Sequence, residues 1–361
     1  MTGSSSSLTS RRTLLKGGAA ALAAPVLLRG GTARAAAKDI RVMMAGGSWK
    51  DFVGKTFVEP FAKANNLEIV WKLGLSMEPM IMAQQRRPQW DLVHSGQSKA
   101  EQLGSMGLYR PWTADRIPNL AKIHPSFKYQ FLAGKCHTPY GLLVNTKEVK
   151  GDANAWAEMW NPANKGKVGF PAWNWVGEEV FYAINTSLGG TPEDITPGIN
   201  KMKELFTQNG AKFINNVEHT RQMVEAGEVW ICPHFGARIE QIAAAGTPVE
   251  FRIPKEGGLS FIWNTAMVAN RPADSIEMTD KFSNTTLDAE RQIEFAKLTG
   301  YPPTNIEAMK NLPASLKKLE FSEADLELLG KLQRQADFMA QFAYRDQNAE
   351  RWNKEVVAAK G

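Results

Sequence analysis

Only two cysteines, Cys136 and Cys232, occur in 361 residues, and they form neither a CxxC pair nor a zinc-type cluster. Both sit in apolar, strand-like runs far apart in the chain, so two buried thiols are expected rather than a disulfide. The five histidines, His94, His124, His137, His219 and His234, show no HxxxH or HExxH spacing, which leaves a metal site without support. No GxGxxG follows a strand-like run, and no CxxCH or GxSxG occurs. Dinucleotide, haem and serine-hydrolase chemistry each lack their signature, and neither an enzyme nor a cofactor is expected.

Positive charge is scarce where it would matter. The chain carries a formal +6, but Arg11, Arg12, Lys16, Arg29 and Arg34 fall in the first 37 residues, which contain no acid, and without these five the balance is +1. No other Lys/Arg run resembles a phosphate-binding patch, so nucleic acid is not an expected partner. The leader itself is specific. Ser10-Arg11-Arg12-Thr13-Leu14-Leu15-Lys16 precedes a mild apolar segment and small residues at Ala33-Arg34-Ala35 and Ala35-Ala36-Ala37. This is a charged region, an apolar region and an A-x-A cleavage site, and the paired arginines resemble a twin-arginine export signal. The apolar run is shorter than the about 20 residues that span a membrane. No lipobox cysteine is present either. Residues 1–37 read as a signal peptide removed after Ala35 or Ala37, leaving a soluble periplasmic protein.

With 43% hydrophobic residues the remaining chain can bury a large core in two lobes. The stretch Phe251 to Val268 organises it: two apolar runs separated by Pro254-Lys255-Glu256-Gly257-Gly258 predict strand, polar break and strand, returning across a cleft. The glycine pair allows a close backbone approach, and Trp263 and Asn264 add a stacking surface and an amide. Upstream, Asp39 to Met44 predicts a strand, Phe52, Phe57, Val58 and Phe61 recur at helical spacing, and Leu67 to Trp71 predicts a second strand. Such a unit implies a parallel sheet with a right-handed crossover, whose ligand loops lie at the carboxyl ends of the strands. Ser48 and Trp49 occupy one such loop. Ser95 occupies another, after the strand Trp90 to Val93. Tyr140 falls in the extended run Thr138 to Asn145, and Trp173 and Asn174 in the loop before a helix from about Glu178 to Leu188. Thr304 with Glu307 predicts a capping box, and Leu329, Leu332, Ala336, Met339 and Ala343 predict the core stripe of one terminal helix.

From Asp39 onward the chain resembles a periplasmic solute-binding protein of an ABC importer, of the spermidine/putrescine-binding type. The resemblance rests on Trp156 to Val168, Gly227-Glu228-Val229, Gly246-Thr247-Pro248-Val249, Pro254 to Gly258 and Thr299 to Asn305, in that order and spacing. It implies an α/β fold of two lobes joined by two crossing strands, with ligand trapped in the cleft when they close. The implied division places 38–144 and 259–305 in one lobe, and 145–258 and 306–361 in the other. It also implies an inner-membrane permease and its ATPase as partners, and a monomer. A receptor-coupled sensory protein and a twin-arginine-exported enzyme are the other classes considered.

The resemblance further places Phe235 at an aromatic site position, Arg238 where a small polar residue is usual, Asn264 at the family's amine-binding aspartate, and Tyr301 in the Thr299 to Asn305 motif. An arginine gained and an aspartate lost favour a smaller, carboxylate-bearing ligand, amino-acid-like or zwitterionic, over a polyamine. Were the ligand a polyamine, the acids would come from Glu178, Glu179 or Glu256. Ferric iron is not expected, because none of the six tyrosines is adjacent to another.

Overall fold

The computed structural model describes residues 37–74 and 77–360, so the twin-arginine leader lies outside the described residues. The strands are β1 (Asp39–Met44), β2 (Glu68–Leu73), β3 (Leu92–Gly96), β4 (Cys136–Asn145), β5 (Gly169–Pro171), β6 (Lys212–Ile214), β7 (Ile231–Phe235), β8 (Val249–Arg252) and β9 (Leu259–Met267). Seven of them form one mixed sheet in the order β2-β1-β3-β9-β4-β7, with β8 also on β4; β5 and β6 pair separately. The β1–β2 pairing is parallel, and so is β1–β3, as the strand-helix-strand pattern near the start requires. Two α-helical stretches, Ser48–Val53 and Glu59–Asn65, form that crossover.

β4 and β9 are the crossing strands. Antiparallel to each other from Cys136↔Trp263 to Tyr140↔Leu259, each contributes side chains to two separate cores. Cys136, Ile262, Ala266 and Met267 belong to a core with Ile40, Val42, Leu92, Phe282 and Phe295. Tyr140, Leu142, Leu259 and Phe261 belong to another with Trp156, Phe170, Phe181 and Trp352. All ten residues of β4 are buried, which is why its sequence lacks the alternation of a half-exposed strand. The fold is therefore α/β, with two lobes linked by this strand pair.

A third connection runs through the helix Glu323–Arg334, in which Leu326 joins the first core and Leu332 the second. Ser322 caps that helix in a box with Asp325. The chain then breaks and resumes as Phe338–Ala343. The expected single apolar stripe thus ends early: Met339 is 40% exposed. The expected Thr304 cap is also displaced, because the Thr304 hydroxyl donates to the Gly134 carbonyl and Asn305 instead accepts from the backbone of Glu307 and Ala308. Gly257 and Gly258 do allow a close approach, but of protein. Gly257 has φ 129° and its carbonyl accepts the Trp156 indole N–H, while a side chain on Gly258 would meet the Tyr140 carbonyl.

Candidate functional site

Two cavities lie against the crossing strands, and both are lined by Lys99 and Trp263. The first, of about 420 Å³, is built mainly from the lobe containing β1 and β3, with Phe235 reaching in from the other. Its wall is a fixed aromatic group. The Trp49 indole N–H donates to His94 Nε2 at 2.8 Å, and the His94 ring stacks on Trp263 at 5.5 Å with 7° between planes. Tyr301 packs on Trp49 at 5.4 Å. Removal of water holds the His94 pKa well below its usual value, with the charge of Lys135 adding to the effect. The imidazole is therefore neutral and carries its proton on Nδ1, since Nε2 accepts.

Ser95 and Gly96 at the end of β3 lead into the helix Gln97–Ser105, and Phe235 at the end of β7 leads into Gly236–Ala244. Neither helix has a side-chain cap. Two helix starts without a side-chain cap thus adjoin this cavity, an arrangement that favours negative charge. Arg238, in the first turn of the second helix, donates to Gln241 and lies 3.5 Å from the Tyr301 hydroxyl across the lobes. No acidic side chain is among the described residues lining this cavity.

The second cavity, about 440 Å³, is walled by alternate residues of β9, Leu259, Phe261 and Trp263, and by the segment that begins Trp173-Asn174-Trp175. Trp173–Gly177 is a π-helical turn, and Gly177 is required in it because a Cβ there would fall 2.3 Å from the Pro171 carbonyl oxygen. This turn brings both indoles onto the cavity. The helix Glu178–Ser187 follows and presents Glu178, Glu179, Tyr182, Ala183 and Thr186 at helical spacing. Arg345 closes the opposite side, with Nε 3.4 Å from Glu178. Burial raises the pKa of Glu178 against the pull of Arg345 and Lys99. Burial, and then the neighbouring charge of Glu178, push Glu179 to about 7.

Eight of the eleven residues expected at the site fall here, if Arg238 is counted through its contact with Tyr301: Trp49, Ser95, Phe235, Trp263 and Tyr301 in the first cavity, Trp173 and Asn174 in the second. Three do not. Ser48 is exposed at the start of its helix and lines neither cavity. Tyr140 is fully buried, its hydroxyl donating to the Pro233 carbonyl and its ring edge-on to Phe235, so it supports the wall from behind. Asn264 is fully buried as well. Its Nδ2 donates to the Ala133 carbonyl and to Thr286 Oγ1, and its Oδ1 accepts from the Thr265 amide. Side chains alternate along β9, so a residue next to Trp263 faces away from the cleft.

Several lining residues had no sequence signal. Lys99, Gln102, Gln333 and Arg345 come from segments with no motif of their own, and only the fold brings them together. Glu178 and Glu179 face the second cavity, whereas the Glu256 carboxylate accepts from the Trp156 amide instead.

A family model described as bacterial extracellular solute-binding protein matches residues 56–319. The spermidine/putrescine-binding periplasmic protein of Escherichia coli (strain K12) is 25% identical, over 73% of this chain and 78% of that one. Among solved structures, the Atu4243-GABA receptor superposes with a TM-score of 0.68 at 19% identity, covering 90% of this chain and 98% of the other. The spermidine/putrescine substrate-binding protein PotD of Streptococcus pneumoniae strain Canada MDR_19A gives 0.64 at 17%, covering 85% and 99%. At these identities the structural likeness speaks for the fold.

Proposed function

The chain belongs to the bacterial extracellular solute-binding proteins, and from that premise we propose that it captures a small zwitterionic, amino-acid-like solute in the cleft and delivers it to an ABC importer. The observation that carries this reading is the separation of charge along the cleft. The indole-lined cavity has Lys99 on its wall, Arg238 held to Tyr301, two uncapped helix starts and no carboxylate among its described lining. A solute carboxylate finds charge-assisted donors there. The adjoining cavity shares Lys99 and adds Arg345, which pairs with Glu178, but it is the one of the two that holds carboxylates, and Glu178 and Glu179 beside Trp173 and Trp175 suit one ammonium group. A diamine would satisfy one end at those glutamates and leave the other, desolvated, among cations.

Binding between lobes favours the closed state by the solute's greater affinity for it, and no turnover is expected. Export by the twin-arginine route, release of residues 1–37 and action as a periplasmic monomer complete the proposal. Among the described residues no helix is long and apolar enough to cross a membrane. A thermal-shift screen over amino acids, ω-amino acids, dicarboxylates and polyamines tests the reading, because a ligand that binds only the native state raises its melting temperature. Zwitterions should give the largest shifts. A larger shift with spermidine or putrescine would overturn the assignment, and turnover of the bound compound would overturn the non-enzymatic role.

A further inference from the structure

We infer that Lys135, which lines neither cavity, selects the charge of the solute in the indole-lined one by acting through its wall; the inference rests on that cavity being the carboxylate end of the site. Lys135 is 1% exposed, and its Nζ has no hydrogen-bond partner. The ammonium lies 5.9 Å from the ring centroid of Trp49 and 5.9 Å from that of Phe295. Trp49 lines the cavity, so a buried positive charge stands behind its wall.

An ammonium buried without a counter-charge is costly, and two aromatic faces offset only part of that cost. No carboxylate is paired with it among the described residues. The titratable groups coupled to it are Cys136, its neighbour on the chain, and His94 on the cavity wall. Desolvation lowers the Lys135 pKa to about 8, so much of the population is charged at neutral pH. Lys99 and Arg238 are partly exposed, and water and salt screen them; Lys135 is screened far less. Its field therefore reaches the cavity with less screening than theirs, lowering the energy of a carboxylate there and raising that of an ammonium. The absent counter-ion is the solute itself.

The variant Lys135→Met keeps the length of the stem and removes the charge. Three four-carbon probes of matched length, succinate, 4-aminobutanoate and 1,4-diaminobutane, with their five- and six-carbon homologues, are titrated calorimetrically into wild type and variant. The preference for dicarboxylate over diamine should fall by about tenfold or more in Lys135→Met, while Lys135→Arg keeps it. The ligand-free Lys135→Met protein should melt higher than wild type, because an uncompensated buried charge has gone. A purely structural lysine gives the opposite: a lower melting temperature and equal losses for all probes. Should Lys135→Met not fold, Lys135→Gln provides the same ratio. An unchanged dicarboxylate-to-diamine ratio overturns the role of Lys135. A wild-type protein that ranks the diamine first overturns the carboxylate reading of the cleft instead, whatever the variant does.

Discussion

The indole N–H of Trp49 and Nε2 of His94, 2.8 Å apart, fix the wall of the indole-lined cavity by a bond that only a neutral imidazole can accept. Both residues sit at the carboxyl ends of adjacent parallel strands, where an open α/β sheet presents its loops. The same imidazole stacks on Trp263, at the crossing of the two long strands.

Trp49→Phe keeps a ring and removes the donor. The lost hydrogen bond should cost about 1 kcal/mol of stability, leave Nε2 of His94 without its partner, and weaken solute binding. Thermal melting and calorimetry check both. An unchanged affinity would show that the wall does not depend on this bond.

Arg238→Ala should lower affinity for a carboxylate-bearing solute by about 10- to 100-fold, the scale of a charge-assisted hydrogen bond. It should barely alter the melting temperature of the ligand-free protein, because the arginine's contacts are to an exposed Gln241 and, at 3.5 Å, to Tyr301. Equal affinity in the variant would assign Arg238 to the surface.

The position of Asn264 shows how finely the site depended on strand parity. The motifs located β9 and its tryptophan, yet alternation turns the next residue away from the cleft, and Asn264 spends its amide on Ala133 and Thr286. The aromatic part of the site was legible because indoles beside glycine in loops are poorly explained as core. The polar part was legible only in part, in Ser95, Asn174 and the Glu178-Glu179 pair. Lys99, Gln102 and Arg345 lie on helices whose exposed and cavity-facing sides look alike in sequence, and only the crossing of the chain between lobes sets them around one space. The terminal helix was misread for a related reason: its apolar spacing continues past Arg334, but Asp337 accepts from the amides of Met339 and Ala340 and restarts the helix in a new direction.

Glu179 predicts a pH dependence with a definite sign. Its folded pKa, about 7, is raised above the usual glutamate value of 4.5, so the native state holds a proton that the unfolded chain has released, and stability should fall as pH rises from about 4.5 to about 7. The charged groups acting on it are Glu178, which opposes ionisation, and Lys99 and Arg345, which favour it. Glu179→Gln should flatten this slope and melt higher than wild type at pH 8. Binding of an ammonium group favours the ionised form, so wild-type affinity should rise through pH 7 while the variant's does not. A wild-type melting curve that is flat across this interval would contradict the environment described for Glu179.

The paired arginines carry the export prediction. Replacing Arg11 and Arg12 by Lys should leave the precursor in the cytoplasm, and the wild-type product should begin near Ala36 or Lys38. N-terminal sequencing of the periplasmic fraction reads this directly, and a retained leader in a membrane-bound product would refute it.

The proposed function requires a cleft that separates charge, carboxylate end from ammonium end. Calorimetric titration of the wild-type protein with succinate, 4-aminobutanoate and 1,4-diaminobutane tests this, because the three share a four-carbon skeleton and carry negative, mixed and positive charges, respectively, at their ends. 4-Aminobutanoate should bind most tightly and 1,4-diaminobutane least. Tightest binding by the diamine would contradict that separation.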